Sequence, residues 1–186
     1  MVSKINCATI TGIDVVPVIV ETDICNGLPS FDMVGLLSYD IKEARERVKT
    51  AIKNSGFIIP PRRITINFSP GNIRKTGTYF DMAIAVSILK ALDIVDVDME
   101  DKMFVGELSL NGEVVSVNGI LPIVLHALEN GIKQCFIPEE NIGECQLIEG
   151  IDVIGVKNLN ELVVFLSNEG YIEKSLPTII KGNEEK

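Results

Sequence analysis

Two short strings in this sequence have the residue types of an acyl-transfer site. Ser87-Ile-Leu-Lys90 has the spacing Ser-x-x-Lys, and Lys75-Thr-Gly77 has the pattern Lys-Thr-Gly. In enzymes that recognise penicillins these strings act together with a Ser-Asp-Asn string. Here Lys-Thr-Gly comes before Ser-x-x-Lys, no Ser-Asp-Asn lies between them, and Ser87 lies in an apolar stretch. A hydroxyl in such a helix usually bonds a carbonyl of its own helix, so we interpret both strings as chance matches.

The glycine-containing stretch 71–78 (GNIRKTGT) partly matches a phosphate-binding loop. A Walker A loop has four residues between its glycines, followed directly by Lys and then Ser or Thr. In this stretch five residues separate Gly71 from Gly77, and Lys75 comes before the second glycine. The spacing therefore argues against nucleotide hydrolysis by this chain.

The other residues that could do chemistry are isolated. Glu107 and Glu113 flank a predicted hairpin turn, where charges on edge strands ordinarily deter aggregation. The single histidine, His126, has no second histidine to share a metal ion, and the four cysteines form no Cys-x-x-Cys pair. The sequence therefore predicts no metal site and predicts reduced thiols.

Charge is distributed unevenly along the 186 residues. The net charge is −9, but residues 40–75 hold nine basic and three acidic residues, a net of +6, which leaves −15 for the remainder. An acidic body with one basic block predicts a directional surface for an anion or an acidic partner. The alternative is a solvated helix with ordinary Glu–Lys and Glu–Arg pairs. The basic residues of the block are Lys42, Arg45, Arg47, Lys49, Lys53, Arg62, Arg63, Arg74 and Lys75.

Hydrophobic periodicity predicts the elements that position these residues. Apolar residues at helical spacing predict helices at 39–54, 79–92, 120–130 and 161–167. β-branched or alternating segments predict strands at 15–23, 30–35, 64–68, 134–137 and 153–155, and Asn111-Gly112 predicts a type I′ hairpin turn between two further strands. Residues 69–77 are predicted to be a polar loop. The order of elements predicts an α/β domain with a mixed sheet.

An ordered series of short motifs resembles one known family. The segments 26–29 (NGLP), 34–36 (VGL), 42–47 (KEARER), 54–57 (NSGF), 61–67 (PRRITIN), 80–85 (FDMAIA) and 106–113 (GELSLNGE) follow one another as in the N-terminal domain of the ComM/YifB family. These are proteins like the magnesium-chelatase subunit ChlI. The resemblance covers nearly all of residues 4–167, and residues 103–141 also resemble the second half of Lon-protease-type domains.

The resemblance implies a two-layer α/β (α+β) fold with a mixed sheet. Lon peptidase domains, the RadA C-terminal domain, GHMP kinases and a ribosomal small-subunit protein domain share this fold. It further implies domain boundaries of 1–170 for a Lon-protease-like N-terminal domain and 171–186 for a polar tail leading to a missing AAA+ ATPase domain. ATP and Mg²⁺ are expected only in that ATPase domain, and no cofactor or metal is expected in this chain.

The same resemblance bears on catalysis. Lon peptidases use a serine nucleophile and a lysine base, and those two positions fall on Tyr79 and Leu121 here. A phenol without a base is a poor nucleophile at neutral pH, and leucine takes no proton. We therefore expect no catalytic residues in this domain, although the parent protein is expected to be an ATPase. The alternatives are an active Lon-type serine peptidase domain and a regulatory, chelatase-like module for protein interactions.

Two surface roles are left for a domain without catalysis. In the first, loops carrying Arg62, Arg63, Arg74 and Lys75 contact the phosphates of DNA weakly and without sequence preference. The alternative is that Arg62 and Arg63 pair with acids of a neighbouring subunit or domain. In the second, the domain assembles with copies of itself, as a hexamer in the full-length protein. The family and the absence of a secretory pattern or an apolar run of about 18 residues lead us to expect a cytoplasmic protein without membrane contact.

Overall fold

A mixed sheet and its covering helices form the part of the chain that the computed structural model describes, residues 2–168. The elements are β1 (Ser3–Thr11), β2 (Asp14–Cys25), β3 (Ser30–Val34), α1 (Tyr39–Asn54), β4 (Arg63–Ser69), α2 (Asp81–Ala91), β5 (Lys102–Phe104), β6 (Glu107–Leu108), β7 (Val114–Val115), α3 (Ile120–Glu129), β8 (Gln134–Pro138), α4 (Ile142–Cys145), β9 (Asp152–Val156) and α5 (Leu159–Asn168). A short 3-10 turn, Glu139–Asn141, precedes α4. The predicted tail at 171–186 lies outside the described residues.

Seven strands form one sheet in the order β3-β4-β2-β1-β5-β8-β9, and β6 and β7 form a separate pair. The neighbours β1 and β2, and β2 and β4, run antiparallel, whereas β3 with β4 and the series β1, β5, β8 and β9 run parallel. Parallel neighbours need a crossover connection, and the helices along the chain supply it. The prediction of an α/β domain with a mixed sheet is confirmed.

The central strand of the sheet, β1, was not predicted from the sequence. It pairs with β2 through a two-residue turn, Gly12 and Ile13, and with β5 on its other side. Its polar residues obscured the strand pattern, because Ser3 and Thr9 are buried and bond the carbonyls of Ser87 (2.7 Å) and Thr76 (2.6 Å). Hydroxyls that find buried acceptors behave as core residues, and alternation of apolar types does not reveal them.

Helix α2 is the most buried helix of the fold. Every residue from 81 to 89 is buried, and Phe80, just before it, meets Phe68 of β4 edge to face at 5.5 Å. Ser87 shares a 2.6 Å hydrogen bond with the Thr22 hydroxyl and donates to the Ile84 carbonyl at 2.7 Å. The hydroxyl therefore has a structural role, as the sequence indicated for the Ser-x-x-Lys string.

The β6–β7 turn differs from the predicted type I′ turn. That turn needs positive φ at both Asn111 and Gly112, but only Gly112 has it, at 82°. The Gly112 N–H donates to the Ser109 carbonyl at 3.0 Å, so the central residues are Leu110 and Asn111. Gly112 follows the turn and lies against Ser55 at the end of α1, where a side chain would clash. The prediction was wrong by one residue because packing against α1 sets the position of the glycine.

The thiols differ strongly in exposure. Cys7, Cys135 and Cys145 are buried, and Cys25 is exposed. Burial raises the pKa of the Cys7 and Cys135 thiols, and it raises the pKa of Cys145 to about 11. Because the thiolate is the reactive form, we expect one rapidly reacting thiol in the native chain and four in denaturant, measured with Ellman's reagent at pH 8. A second fast native thiol would contradict this burial.

No helix among residues 2–168 is both long enough and apolar enough to cross a membrane.

Candidate functional site

The structure places Tyr79, one of the two positions that correspond to the Lon dyad, near the start of α3, the helix that carries the other position, Leu121. Tyr79 lies two residues before α2, and Leu121 lies in the first turn of α3. Gly119, just before α3, approaches the phenol so closely that a Cβ at this residue would lie 3.8 Å from Tyr79 Oη. Leu121 is 38% exposed and Tyr79 is half-buried. The two dyad positions are therefore occupied by a phenol and an aliphatic side chain.

The phenol is poorly placed for nucleophilic attack. Burial raises the pKa of Tyr79 above its ordinary value, so less of it is ionised at neutral pH. The ring packs on Gly77, where a Cβ would lie 2.6 Å from its Cε2 atom. Among residues 2–168, lysine ammonium groups donate to Gly35 O, Pro70 O and Asp101 Oδ1, and none bonds a serine or threonine hydroxyl. The described residues thus offer no hydroxyl–lysine pair at hydrogen-bond distance.

Lys75, a candidate for DNA contact, is fully buried at 0% exposure. Its Nζ donates to the Gly35 carbonyl at 2.6 Å and to the Pro70 carbonyl. Its backbone bridges the β3–α1 connection, because Lys75 N donates to Leu36 O at 3.1 Å and Ser38 N donates to Lys75 O at 3.0 Å. Burial lowers the pKa of the ammonium group. Lys75 therefore holds the loop after β4 against the β3–α1 connection, a role that we call the Lys75 clamp. Its side chain is not available to an external phosphate.

Arg62, Arg63 and Arg74 are exposed, as a contact surface requires. None of the three forms an ion pair with another residue of the described range 2–168. Arg62 and Arg63 lie at the start of β4, whereas Arg74 follows its end. The seven-residue strand separates them, and at about 3.3 Å per residue this is about 20 Å. The three arginines therefore form two separate basic patches, Arg62 with Arg63 and Arg74 alone, rather than one cluster.

Arg47, part of the basic block, points inward and pairs with Asp81. Its Nε lies 2.9 Å from Oδ2 and its Nη2 lies 3.1 Å from Oδ1, a two-pronged ion pair. The Leu108 N–H donates to Asp81 Oδ2 at 3.1 Å. Burial raises the pKa of Asp81, and the bonds from Arg47 and Leu108 oppose that rise. Sequence reasoning missed this pair, which links α1, α2 and β6; the only signal was Asp81 inside an apolar run.

The other cations of α1 form one exposed surface, which we call the basic stripe: Lys42, Arg45, Lys49 and Lys53. Spacings of three and four residues place them on one side of the helix over about 16 Å. Arg45 pairs with the exposed Glu46 at 3.3 Å and donates to the Phe31 carbonyl of β3 at 3.3 Å. The α1 part of the predicted block therefore divides into an inward arginine and an outward stripe.

The isolated candidates Glu107, Glu113 and His126 do not come together as a metal site among the described residues. Glu107 pairs across the hairpin with Val115, and Glu113 bridges to Asn158 before α5. His126 lies in α3 with Asn130 Nδ2 3.4 Å from its Nε2 atom. No group of three or more metal-ligating side chains occurs among the described residues.

Comparison with known proteins identifies relatives along most of the chain. The family model described as subunit ChlI of Mg-chelatase matches residues 20–141. YifB of Escherichia coli strain K12 is 34% identical over 168 residues, 90% of this chain and 33% of YifB. The competence protein ComM of Haemophilus influenzae is 34% identical over 159 residues, 85% of this chain and 31% of ComM.

A more distant similarity reaches the Lon proteases. Lon protease 2 of Bacillus subtilis is 34% identical over 123 residues, 66% of this chain and 22% of that protein. This likeness is consistent with the mixed α/β fold. The chain spans about a third of the length of its YifB and ComM relatives. From the family match and these identities, the chain belongs to the family of the magnesium-chelatase subunit ChlI that includes YifB and ComM.

Proposed function

We propose that this chain is the non-catalytic N-terminal domain of a ComM-like AAA+ ATPase that acts in DNA branch migration, and that it serves ring assembly and DNA guidance. The similarity to a protein named for competence, over 85% of this chain, supports a role with DNA. The chain corresponds to about a third of such relatives. We propose that ATP and Mg²⁺ bind the remainder of the parent protein, and that the parent protein acts in the cytoplasm.

The observation that carries the proposal is the identity of the two dyad positions, Tyr79 beside the start of α3 and Leu121 in its first turn. A Lon-type peptidase needs a nucleophile and a base at these places, and the described residues supply a phenol with a raised pKa and an alkyl group. We expect the purified chain to leave an unfolded, fluorescently labelled casein intact over hours. Cleavage that persists in Tyr79→Phe would locate another nucleophile, and cleavage abolished in it would restore the peptidase alternative.

DNA guidance predicts weak binding that depends on salt. Neutralising Arg62, Arg63 and Arg74 with glutamine is expected to weaken binding of a labelled duplex. The slope of log affinity against log salt should fall by about 1 for each phosphate that the chain no longer neutralises. Fluorescence anisotropy at several salt concentrations measures both quantities. The control for each arginine changed singly is Lys157→Gln, which removes one charge at an exposed cation elsewhere on the surface. Equal effects of control and variants would contradict a specific role for the three arginines.

Ring assembly predicts self-association, measured as concentration-dependent mass by light scattering. If the chain neither self-associates nor binds DNA, the alternative of a chelatase-like module for protein interactions takes precedence.

A further inference from the structure

A groove beside the basic stripe has no occupant among the described residues. It lies between the second half of α1 and the segment 57–59 and encloses about 430 Å³. Phe57, Ile58 and Ile59 line one side, and Ile58 is 83% exposed. Lys49 and Lys53 line the other side together with Glu46 and Thr50. The groove therefore combines an apolar wall with a basic rim.

The two lysines at the rim of the groove are available for an ion pair with a binding partner. Glu46 is engaged by Arg45 at 3.3 Å. Within residues 2–168 neither Lys49 nor Lys53 forms an ion pair, although Lys49 Nζ lies 5.8 Å from the centre of the Phe31 ring. A segment that carries carboxylates and some apolar surface would match both sides of this groove.

The chain itself carries a segment of that composition. Residues 93–101 (DIVDVDMED) expose Asp93, Asp96, Asp98 and Glu100 and leave Ile94 and Val97 only half-buried. Within the described range no ion pair engages these four carboxylates. Lys4 and Lys90 line an adjacent cleft with Asp98 and Glu100 without pairing with them. The segment is therefore complementary to the groove in charge and in its apolar part.

The acidic segment is already held in shape. At its start, Ile94 N donates to the Leu89 carbonyl at 3.0 Å, and Asp93 has a φ of 57° that closes helix α2. At its end, Asn6 Nδ2 donates to the carbonyls of Glu100 at 3.1 Å and Lys102 at 3.0 Å. A segment fixed at both ends loses little conformational entropy on binding, which favours its use as a docking element.

We infer that residues 93–101 of one copy of this chain dock into the groove of a second copy. The groove lies beside edge strand β3, whereas the acidic segment is tied to the central strand β1. The contact is head-to-tail because the two surfaces differ, so repetition builds a closed ring or a filament. The inference rests on the proposed assembly function and specifies the surfaces that perform it.

Sedimentation velocity of the 186-residue chain at low and high salt tests the contact first. Screening shortens the Debye length from about 10 Å at 0.1 M salt to about 3 Å at 1 M. We expect self-association at low salt that weakens as salt is raised. Absence of association at every protein concentration would overturn the inference.

Charge reversal then tests which surfaces meet. Lys49→Glu with Lys53→Glu reverses the groove, and Asp96→Lys with Glu100→Lys reverses the segment. Each double variant alone is expected to associate at least about tenfold more weakly, because like charges then face each other. A mixture of the two is expected to regain association, because the reversed groove receives the reversed segment and the unchanged surfaces also match. Circular dichroism verifies that each variant is folded.

The control is Arg74→Glu with Lys157→Glu, which changes the net charge by the same amount as the groove variant at exposed sites outside both surfaces. It is expected to associate as the original chain does. Association that neither reversal changes would overturn the inference and leave assembly, and so the proposed function, intact. Loss of duplex binding without loss of association in the groove variant would instead assign the basic stripe to nucleic acid and overturn the inference.

Discussion

Replacing Arg47 by methionine is expected to lower the free energy of unfolding by about 3–5 kcal/mol, because it leaves a buried carboxylate without its counter-ion. Asp81 has a side-chain exposure of 1%, and after the change the Leu108 N–H would be its only hydrogen-bond donor among residues 2–168. Urea unfolding followed by circular dichroism at pH 7 measures the loss. The paired variant Arg47→Met with Asp81→Leu should recover much of it, since it removes both charges.

The stability deficit of Arg47→Met should also depend on pH. Burial already raises the pKa of Asp81, and losing Arg47 removes the largest opposing contribution. A carboxyl with a folded pKa above its unfolded value contributes stability below the unfolded pKa and loses it as pH rises through the folded pKa. The deficit is therefore expected to be smaller at pH 4 than at pH 7. A deficit that grows on acidification would contradict this account of the pair.

Replacing Lys75 by methionine is expected to cost about 2–3 kcal/mol of stability, because the carbonyls of Gly35 and Pro70 lose their charged donor. Methionine keeps most of the volume, so the loss reports the hydrogen bonds rather than a cavity. Thermal and urea unfolding measure it. Arg74→Gln, one residue away and exposed, is the control and should change stability by less than about 0.5 kcal/mol. Equal effects of the two variants would contradict the clamp.

The contrast between these neighbours explains how far the sequence could predict the site. Both are cations in a polar stretch, and nothing local distinguishes them. The burial of Lys75 depends on carbonyls at residues 35 and 70 that approach only when β3 and β4 pair in parallel. Arg47 was hidden for the same reason, because its partner lies 34 residues away. Local periodicity indicates which face of α1 is buried but not which distant carboxylate that face meets.

Elements with strong local signals were predicted with accurate bounds. The helix predicted at 39–54 is α1, Tyr39–Asn54, because its apolar residues repeat at helical spacing. The strand β1 was missed since its inward hydroxyls bond distant carbonyls. The family resemblance predicted that Tyr79 and Leu121 occupy the two positions of the Lon dyad. In the fold, Tyr79 lies close to Gly119, two residues before Leu121. The tertiary structure was needed to divide the basic block into the Arg47 ion pair, the buried Lys75, the basic stripe and three exposed arginines outside α1.

The position of β3 has one more consequence, for behaviour at high concentration. It is one of the two border strands of the seven-stranded sheet, and the guanidinium of Arg45 donates to its Phe31 carbonyl. A strand arriving from another molecule would have to displace that guanidinium and approach the cations of α1. This border of the sheet thus resists the strand-by-strand polymerisation that unprotected sheet borders invite.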